Sequence, residues 1–249
     1  PLERIFDFAY RVALPAPALY GQFAKEHSVD MILTALLELG FDDVFEVARG
    51  AEVVSRATRQ LLDSGILQTP VISSACPAVL RLITVRFPNL IGNVLPLQAP
   101  VEVAAQLARE EAVKKTGLAP EQIGIFFLSP CAAEATAIRS PLGRDTSGID
   151  GTIAIKTVYK NLLTVFSKIE KPLPLSKAGA SGIGWAKLEG ESQAIGQENF
   201  VAADGISHCI KVLEEVEDDR LRNIQFIELS SCVGGCVGGP LNVENAYIA

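Results

Sequence analysis

This sequence of 249 residues is poor in methionine, histidine, aromatic residues and basic charge. Its two histidines, His27 and His208, have no partner at a metal-ligand spacing, so we interpret both as surface or core residues. The net charge of −7 and the lack of a basic run argue against a nucleic-acid partner. No apolar stretch is long enough for a membrane span and none resembles a signal peptide, so we expect a cytoplasmic protein without a membrane partner.

The start of the chain, its apolar content and its cysteines give three further expectations. It begins at Pro1, and its only methionine is Met31, so we expect a piece of a longer polypeptide. Hydrophobic residues make up 49% of the chain, which is enough to build a core in one large domain or two close lobes. The five cysteines are odd in number and widely spaced, which favours ligand thiols over a disulfide framework.

Apolar runs alternate with amphipathic stretches along the chain. The predicted strands cover 5–14, 43–47, 69–74, 122–129 and 223–230, and the predicted helices cover 18–27, 29–39, 51–62, 77–86, 101–116, 155–168 and 202–216. The run at 122–129 is almost continuously apolar, as is typical of a strand covered on both faces. We predict a loop at 171–199, where glycine is frequent and periodicity is weak. Because strands alternate with helices, the fold class is α/β with mainly parallel sheet.

Three of the predicted strands end in a cysteine motif. The motifs are Ser73-Ser-Ala-Cys76-Pro77, Ser129-Pro-Cys131 and Cys232-Val-Gly-Gly-Cys236. If these strands are parallel neighbours, their carboxyl ends lie on one side, and four thiols can converge there. Gly234 and Gly235 would let the backbone approach a bound cluster, because glycine has no Cβ and accepts positive φ.

Four thiolates are a complete ligand set for one [4Fe–4S] cluster or for a tetrahedral zinc ion. Structural zinc commonly uses Cys-x-x-Cys knuckles, whereas two of the ligands here would stand alone on distant loops, so we favour iron and sulfur. The remaining alternative is an α/β domain with inert buried thiols. Cys209 lies within a predicted helix, away from any strand end, and we interpret it as a small buried apolar residue.

The three motifs resemble, in order and in content, those of the [FeFe]-hydrogenase catalytic domain, which carries the H-cluster. That family's third motif has a glutamate, then Cys-x-Gly-Gly-Cys and more glycines, and is similar to Glu228 through Gly239. The glycine run is shorter here and is cut by Pro240. The segments 12–17 and 40–45 are similar as well, so the resemblance covers most of the chain.

The resemblance implies two lobes of mainly parallel sheet flanked by helices, with the cluster between them at strand carboxyl ends. We expect a single domain over 1–249, with a lobe boundary near residue 120 and an unsettled C-terminal stretch at 223–249. Cys236 would bridge the [4Fe–4S] cluster to a two-iron subsite carrying CO, cyanide and a dithiolate, which maturation proteins install. The implied cofactor-binding residues are Cys76, Cys131, Cys232 and Cys236, the metal ligands, together with Pro77, Pro130, Gly234 and Gly235.

This sequence departs from the family along the route of the proton. Catalytic members place a cysteine, the proton donor, directly before the first ligand, where this sequence has Ala75. Two glutamates and a serine continue the family's path, and the matching positions here are Val53, Arg56 and Leu95, with Glu52 nearby. General acid–base transfer needs groups within hydrogen-bond reach of one another, so we expect slow proton transfer.

The surroundings of the two-iron subsite differ from the family as well. The family's second motif supplies a lysine that binds a cyanide, and Glu134 stands at that position. A carboxylate in place of an ammonium should weaken the hold on an anionic ligand. Two methionines that pack on the subsite in the family are matched by Ser129 and Ser230.

We therefore expect a domain of the family's sensory branch, with low turnover of H2 and protons. Its electrons would pass to an electron-transfer module or a ferredoxin, and an attached signalling module would receive the signal. One alternative is a non-catalytic protein that holds only the [4Fe–4S] cluster. The other is an efficient hydrogenase with a rerouted proton path through Glu228 or waters.

Overall fold

The structure, a computed structural model, describes residues 2–249. Its strands are β1 (Tyr10–Pro15), β2 (Asp43–Val44), β3 (Val71–Ile72), β4 (Ile123–Ser129), β5 (Gly151–Ala154), β6 (Phe200–Asp204) and β7 (Phe226–Ser230). Its α-helices are α1 (Val29–Glu38), α2 (Val47–Ser64), α3 (Pro77–Arg86), α4 (Pro100–Thr116), α5 (Ala132–Arg139), α6 (Ile155–Phe166), α7 (Ala180–Gly184), α8 (Gly190–Ile195) and α9 (Ile206–Glu217). None of the helices within residues 2–249 combines the length and the apolar character needed to cross a membrane.

The first sheet is parallel and has the strand order β2-β1-β4-β5. Successive side chains point to opposite faces, so Ala13 and Leu128 pack with α1 and α6, whereas Leu14 and Ile125 pack with α4. Every residue of β4 is buried. The prediction of a strand covered on both faces is confirmed.

The second sheet is also parallel and has the order β3-β7-β6. Ile72 and Ile227 pack against α3 and α9, and Cys209 of α9 is fully buried in the same core, as predicted. Val71 and Phe226 pack with apolar residues of α2 and α8. The two sheets with their helices are the two lobes of the expected α/β fold.

The chain passes from one sheet to the other and back again. The strands β1 and β2 belong to the first sheet and β3 to the second, after which β4 and β5 return to the first and β6 and β7 to the second. A single lobe boundary near residue 120 does not describe this path, because residues on both sides of it contribute strands to both sheets. The lobes are therefore interleaved in sequence.

Several elements differ from their predictions. The region 171–199, predicted as a loop, contains α7 and α8, and β5 and α5 were not predicted. The helix expected at 202–216 begins only at Ile206, because the preceding residues pair along their length with β7 as strand β6. Gly205, at φ 77°, makes the turn between that strand and α9. Tertiary pairing thus overrides the local apolar pattern.

Carboxylates attach the segment before α7 to the first lobe. The backbone N–H groups of Leu175 and Ser176 donate to Asp30 at 2.9 and 2.7 Å. Those of Lys177 and Ala178 donate to the buried Glu46 at 2.6 and 3.0 Å. These bonds fix the course of the chain into α7 and α8, which pack on α2.

Candidate metal centre

The carboxyl ends of strands from both sheets meet at a cavity that is partly open to solvent. Residues that follow β1, β4 and β3, and the end of β7, border it, including Pro17, Pro130, Cys76 and Ser230. The cavity lies between the lobes, where the site was expected. The three cysteine motifs are not neighbours in one sheet, however, because β4 lies in the first sheet and β3 and β7 lie in the second.

Two of the cysteines stand at the start of a helix. Cys76 precedes Pro77, the first residue of α3, and Cys131 precedes α5. In both motifs the cysteine therefore directly precedes a helix N-terminus, which carries partial positive charge.

The other two cysteines lie in the glycine-rich loop after β7, close to the first two. The Ser231 hydroxyl lies 3.6 Å from the Cys76 sulfur and 3.8 Å from the Cys232 sulfur, between these two thiols. Cys236 is exposed as a residue and borders the cavity, although many protein atoms surround its sulfur. The structure thus brings thiols from all three motifs into one region.

The thiols influence one another's protonation. Burial is the main cause that raises the pKa of Cys236 well above its usual range, and the charges of Cys76, Glu134, Cys131 and Cys232 raise it further. Burial likewise raises the pKa of Cys131 and of Cys232. Crowded thiols of this kind are protonated at neutral pH, and only a bound metal would remove their protons together.

The backbone of the glycine-rich loop packs tightly on the segment before α8. Gly234 and Gly235 have φ of 81° and 85°. A Cβ on Gly235 would lie 2.8 Å from the Ala186 carbonyl oxygen and 2.8 Å from the Leu188 nitrogen. Leu188 N–H donates to the Gly234 carbonyl at 3.1 Å. Glycine is therefore required here for a close approach to protein backbone.

The spacing of the thiols bears on what could be bound. Among residues 2–249, no three side chains of His, Cys, Asp or Glu lie close enough together to hold one metal ion. Cys76 and Cys236 border the cavity, and a cubane separates its ligands more widely than a single ion does. Four thiols drawn from one region are a donor set that fits a [4Fe–4S] cluster.

Three glutamates border the cavity. Glu134, at the start of α5, is half-buried, and burial raises its pKa to about 7, with a further contribution from Glu102. Glu191 and Glu228 are almost completely buried. Lys187 is the basic residue that borders this cavity within the part of the chain described. Acidic groups therefore outnumber basic ones around the space.

The residues matched to the family's proton path do not form one. Ala75 borders the cavity with a methyl group, and Leu95 is buried in the core of the second lobe. Val53 and Arg56 are exposed on α2. The nearby Glu52 accepts a hydrogen bond from Gly179 N–H at 2.7 Å and does not border the cavity. The described residues therefore offer no line of acid–base groups along this route.

The two serines in the methionine positions have different surroundings. The Ser129 hydroxyl donates to the Cys131 carbonyl at 2.9 Å and accepts from Cys131 N–H at 3.1 Å, so it shapes the cysteine loop. Ser230 borders the cavity, and its carbonyl accepts from Gly205 N–H at 2.9 Å.

Sequence reasoning missed Glu191 and Ser231. Glu191 lies in the region predicted as a loop, where no periodicity marked it as buried. Ser231 directly precedes Cys232, and this adjacency was the available signal for a hydroxyl beside two thiols.

Solved [FeFe]-hydrogenases share this arrangement of two parallel sheets. One, studied for its inactivation by oxygen, superposes with a TM-score of 0.72 over 95% of this chain and 81% of that chain, at 15% identity. The apo form of a HydA1 variant from Chlamydomonas reinhardtii gives 0.71 over 95% and 80%, also at 15% identity. The fold is that of hydrogenase H-cluster domains.

Sequence comparison gives the family. The family described as "Iron only hydrogenase large subunit, C-terminal domain" matches residues 9–162 and 181–240, so the chain belongs to it. Iron hydrogenase 1 of Clostridium pasteurianum is 22% identical over 84% of this chain. NADP-reducing hydrogenase subunit HndD of Solidesulfovibrio fructosivorans is 20% identical over 82%. The chain covers only 44% of the length of each of these two relatives.

Proposed function

We propose that this domain binds an H-cluster, senses hydrogen and turns it over slowly. The observation that carries the proposal is a cavity bordered by thiols in which the residue before Cys76 is an alanine. Cys76, Cys131, Cys232 and Cys236 would hold the [4Fe–4S] cluster, and Cys236 would also hold the two-iron subsite with its CO, cyanide and dithiolate. When bound, this cofactor supplies the reversible conversion of hydrogen into protons and electrons.

Slow turnover follows from the groups that surround the site. The Ala75 methyl can neither give nor take a proton, and the route through Val53, Arg56 and Leu95 contains no acid–base group at a buried position. A positioned general acid or base contributes about 10²–10⁴-fold to a rate. Loss of the donor would therefore slow hydrogen turnover enough for the domain to act as a sensor and not as an efficient enzyme.

The partners follow from the same chemistry. Cys209 is the one cysteine of the described residues that lies outside the proposed ligand set, and it is buried in a core. The described residues therefore provide no ligands for a second cluster that could relay electrons. Electrons would come from a ferredoxin or an attached electron-transfer module. Maturation proteins would install the two-iron subsite, and an attached signalling module would read its state.

A second candidate function is that of a non-catalytic protein with the [4Fe–4S] cluster alone. The position of Glu134 favours it, because this carboxyl group borders the cavity where the family's lysine would bind a cyanide. Above about pH 7, where Glu134 is mostly ionised, its negative charge opposes an anionic ligand.

Infrared spectroscopy separates the two candidates. Anaerobic protein would be reconstituted with iron and sulfide and then exposed to a synthetic two-iron precursor. Sharp CO and cyanide bands are expected if the H-cluster assembles. Their absence, with about four iron and four sulfide per chain, would replace the first proposal by the second.

Matched variants test the ligands in the same experiment. Cys236→Ser should abolish the CO and cyanide bands, whereas Cys209→Ala should keep them, because Cys209 belongs to the core of the second lobe. Hydrogen turnover by the loaded protein at the rate of fast hydrogenases would contradict the sensory proposal and favour a rerouted proton path.

A further inference from the structure

Two buried carboxyl groups in the cavity wall have no role in the function proposed above. Glu191 is 3% exposed and Glu228 is 4% exposed. Both border the cavity together with Ala75 and Cys76. Burying an acid away from water is costly unless it is paired or neutral, so their local contacts decide their charge.

The contacts of the two glutamates differ. Glu228 accepts hydrogen bonds from Ser192 N–H at 2.9 Å and from the Ser192 hydroxyl at 2.8 Å, which stabilise a carboxylate. Glu191 accepts one, from the Ser73 hydroxyl at 2.5 Å. The other oxygen of Glu191, Oε1, makes no hydrogen bond to the residues from 2 to 249. Two neighbouring acids in unlike surroundings are a common arrangement for holding and moving one proton.

Protonation follows these contacts. Burial raises the pKa of Glu191 to about 8; the Ser73 hydrogen bond lowers it, and the charge of Glu228 raises it. Burial also raises the pKa of Glu228, while its bonds from Ser192 lower it. Glu191 is therefore mostly a neutral acid at pH 7 and has a proton to give.

We propose that Glu191 is the proton donor of the cavity, in the place left without a donor by Ala75, and that Ser73 is its positioning residue. The Ser73 hydroxyl donates to Glu191 and also accepts from Ala75 N–H at 3.1 Å, so it joins the acid to the loop that carries Cys76. The inference rests on the proposed H-cluster function and names a residue that serves it.

The step is a proton transfer coupled to reduction. When the cofactor that the four cysteines would hold receives an electron from a ferredoxin-type partner, the O–H bond of Glu191 would break and its proton would pass to the reduced group in the cavity. The electron pair of that bond remains on the carboxylate, which keeps the hydrogen bond from Ser73. A proton from water restores the acid.

Other charged groups surround Glu191 and must stay constant in a test. On α2, Arg59 donates to the Ile195 carbonyl of α8. The charge of Glu228 on β7 acts on Glu191 directly. Lys187, Glu134, Cys76 and Cys236 border the same cavity, and Glu52 on α2 and Glu189 before α8 lie on elements that pack beside α8. Glu191→Gln leaves all of these in place and keeps an oxygen that accepts from Ser73.

A redox titration of the iron–sulfur signals, at pH values on both sides of the Glu191 pKa, tests the proposal. In the native sequence the midpoint potential should fall as the pH rises, because reduction takes up a proton. In Glu191→Gln the break in this dependence near the pKa of Glu191 should disappear, and in the control Glu198→Gln, an exposed glutamate of the same region, it should remain. Equal pH dependence in all three proteins would overturn the inference.

The variant Ser73→Ala tests whether Ser73 positions Glu191. A merely structural role of Ser73 would leave the pH dependence of the midpoint potential unchanged. Removal of the hydroxyl should raise the pKa of Glu191, so the pH at which the potential stops changing should shift upward. If this break in the plot of midpoint potential against pH did not shift, Ser73 would not be the positioning residue.

The absence of CO and cyanide bands would overturn the H-cluster proposal without deciding the role of Glu191. The same redox titration, followed on the signal of the [4Fe–4S] cluster alone, would then decide that role.

Discussion

The cavity has few side chains that can exchange a proton or hold a charge, so single residues decide its chemistry. Ala75 contributes a methyl group, Glu134 a carboxyl group and Lys187 an ammonium on the same wall. A change at one of these positions alters proton supply or local charge without touching the thiols.

Ala75→Cys should raise hydrogen turnover by the loaded protein at least about 10-fold, because it places an acid of suitable pKa beside the cavity. The measurement is hydrogen–deuterium exchange by protein with matched iron content. Ala75→Ser is the control, since a hydroxyl is similar in size to a thiol and a far weaker acid. A gain as large in the serine variant would show that proton donation by the thiol is not the cause.

Glu191 should make the stability of the metal-free chain depend on pH. Its pKa is about 4.3 in an unfolded chain and about 8 in the folded one. The folded state therefore keeps a proton that the unfolded state has lost, and the stabilisation, complete below about pH 4.3, is lost as the pH rises towards 8. One pKa unit corresponds to about 1.4 kcal/mol, so the loss is on the order of a few kcal/mol.

Urea unfolding at an acidic pH and at about pH 8 measures this effect. The free energy of unfolding should fall less steeply with pH in Glu191→Gln than in the native sequence. Equal slopes would mean that Glu191 is ionised in the folded chain.

The glycine-rich loop depends on its fit against the segment before α8. Gly235→Ala should destabilise the fold and reduce iron binding, because it combines a left-handed φ with a Cβ 2.8 Å from two backbone atoms. Gly117→Ala is a matched control: Gly117 ends α4 at φ 71° and has nothing within 4 Å of its Cβ position.

Iron content per chain and the urea midpoint compare the two variants. The control should lose about 1–2 kcal/mol for the left-handed conformation alone and should keep its iron. Equal losses of stability and iron in both variants would show that the contact at Gly235 is unimportant.

The interleaved path of the chain makes the two lobes depend on each other. Residues 1–120 contain β1 and β2 without their neighbour β4, and β3 without β7. Neither 1–120 nor 121–249 should therefore fold when expressed alone, as circular dichroism and urea unfolding would report. A cooperative unfolding transition in either half would contradict this expectation. Co-expression of both halves is the control, because it shows whether the two fragments stay soluble when they can pair.

Much of the fold could be predicted because it depends on local pattern. The helices at 77–86 and 101–116 lie within a residue of their predicted bounds, since a proline begins each helix and Gly117 ends the second. Strand β4 was recognised from its continuous apolar run. By contrast, β5 and β6 are short, and their extended form depends on pairing with β4 and β7.

The sequence by itself determined the family, the α/β class and the cysteines from three strand ends, because motif order and apolar periodicity are local properties. Only the tertiary structure decided that these strands lie in two sheets and that Glu191 lies in the cavity wall. It also decided that residues on both sides of position 120 contribute strands to both lobes. These features depend on contacts between residues far apart in sequence. Burial and hydrogen bonds then set the charge of Glu191, which no local pattern encodes.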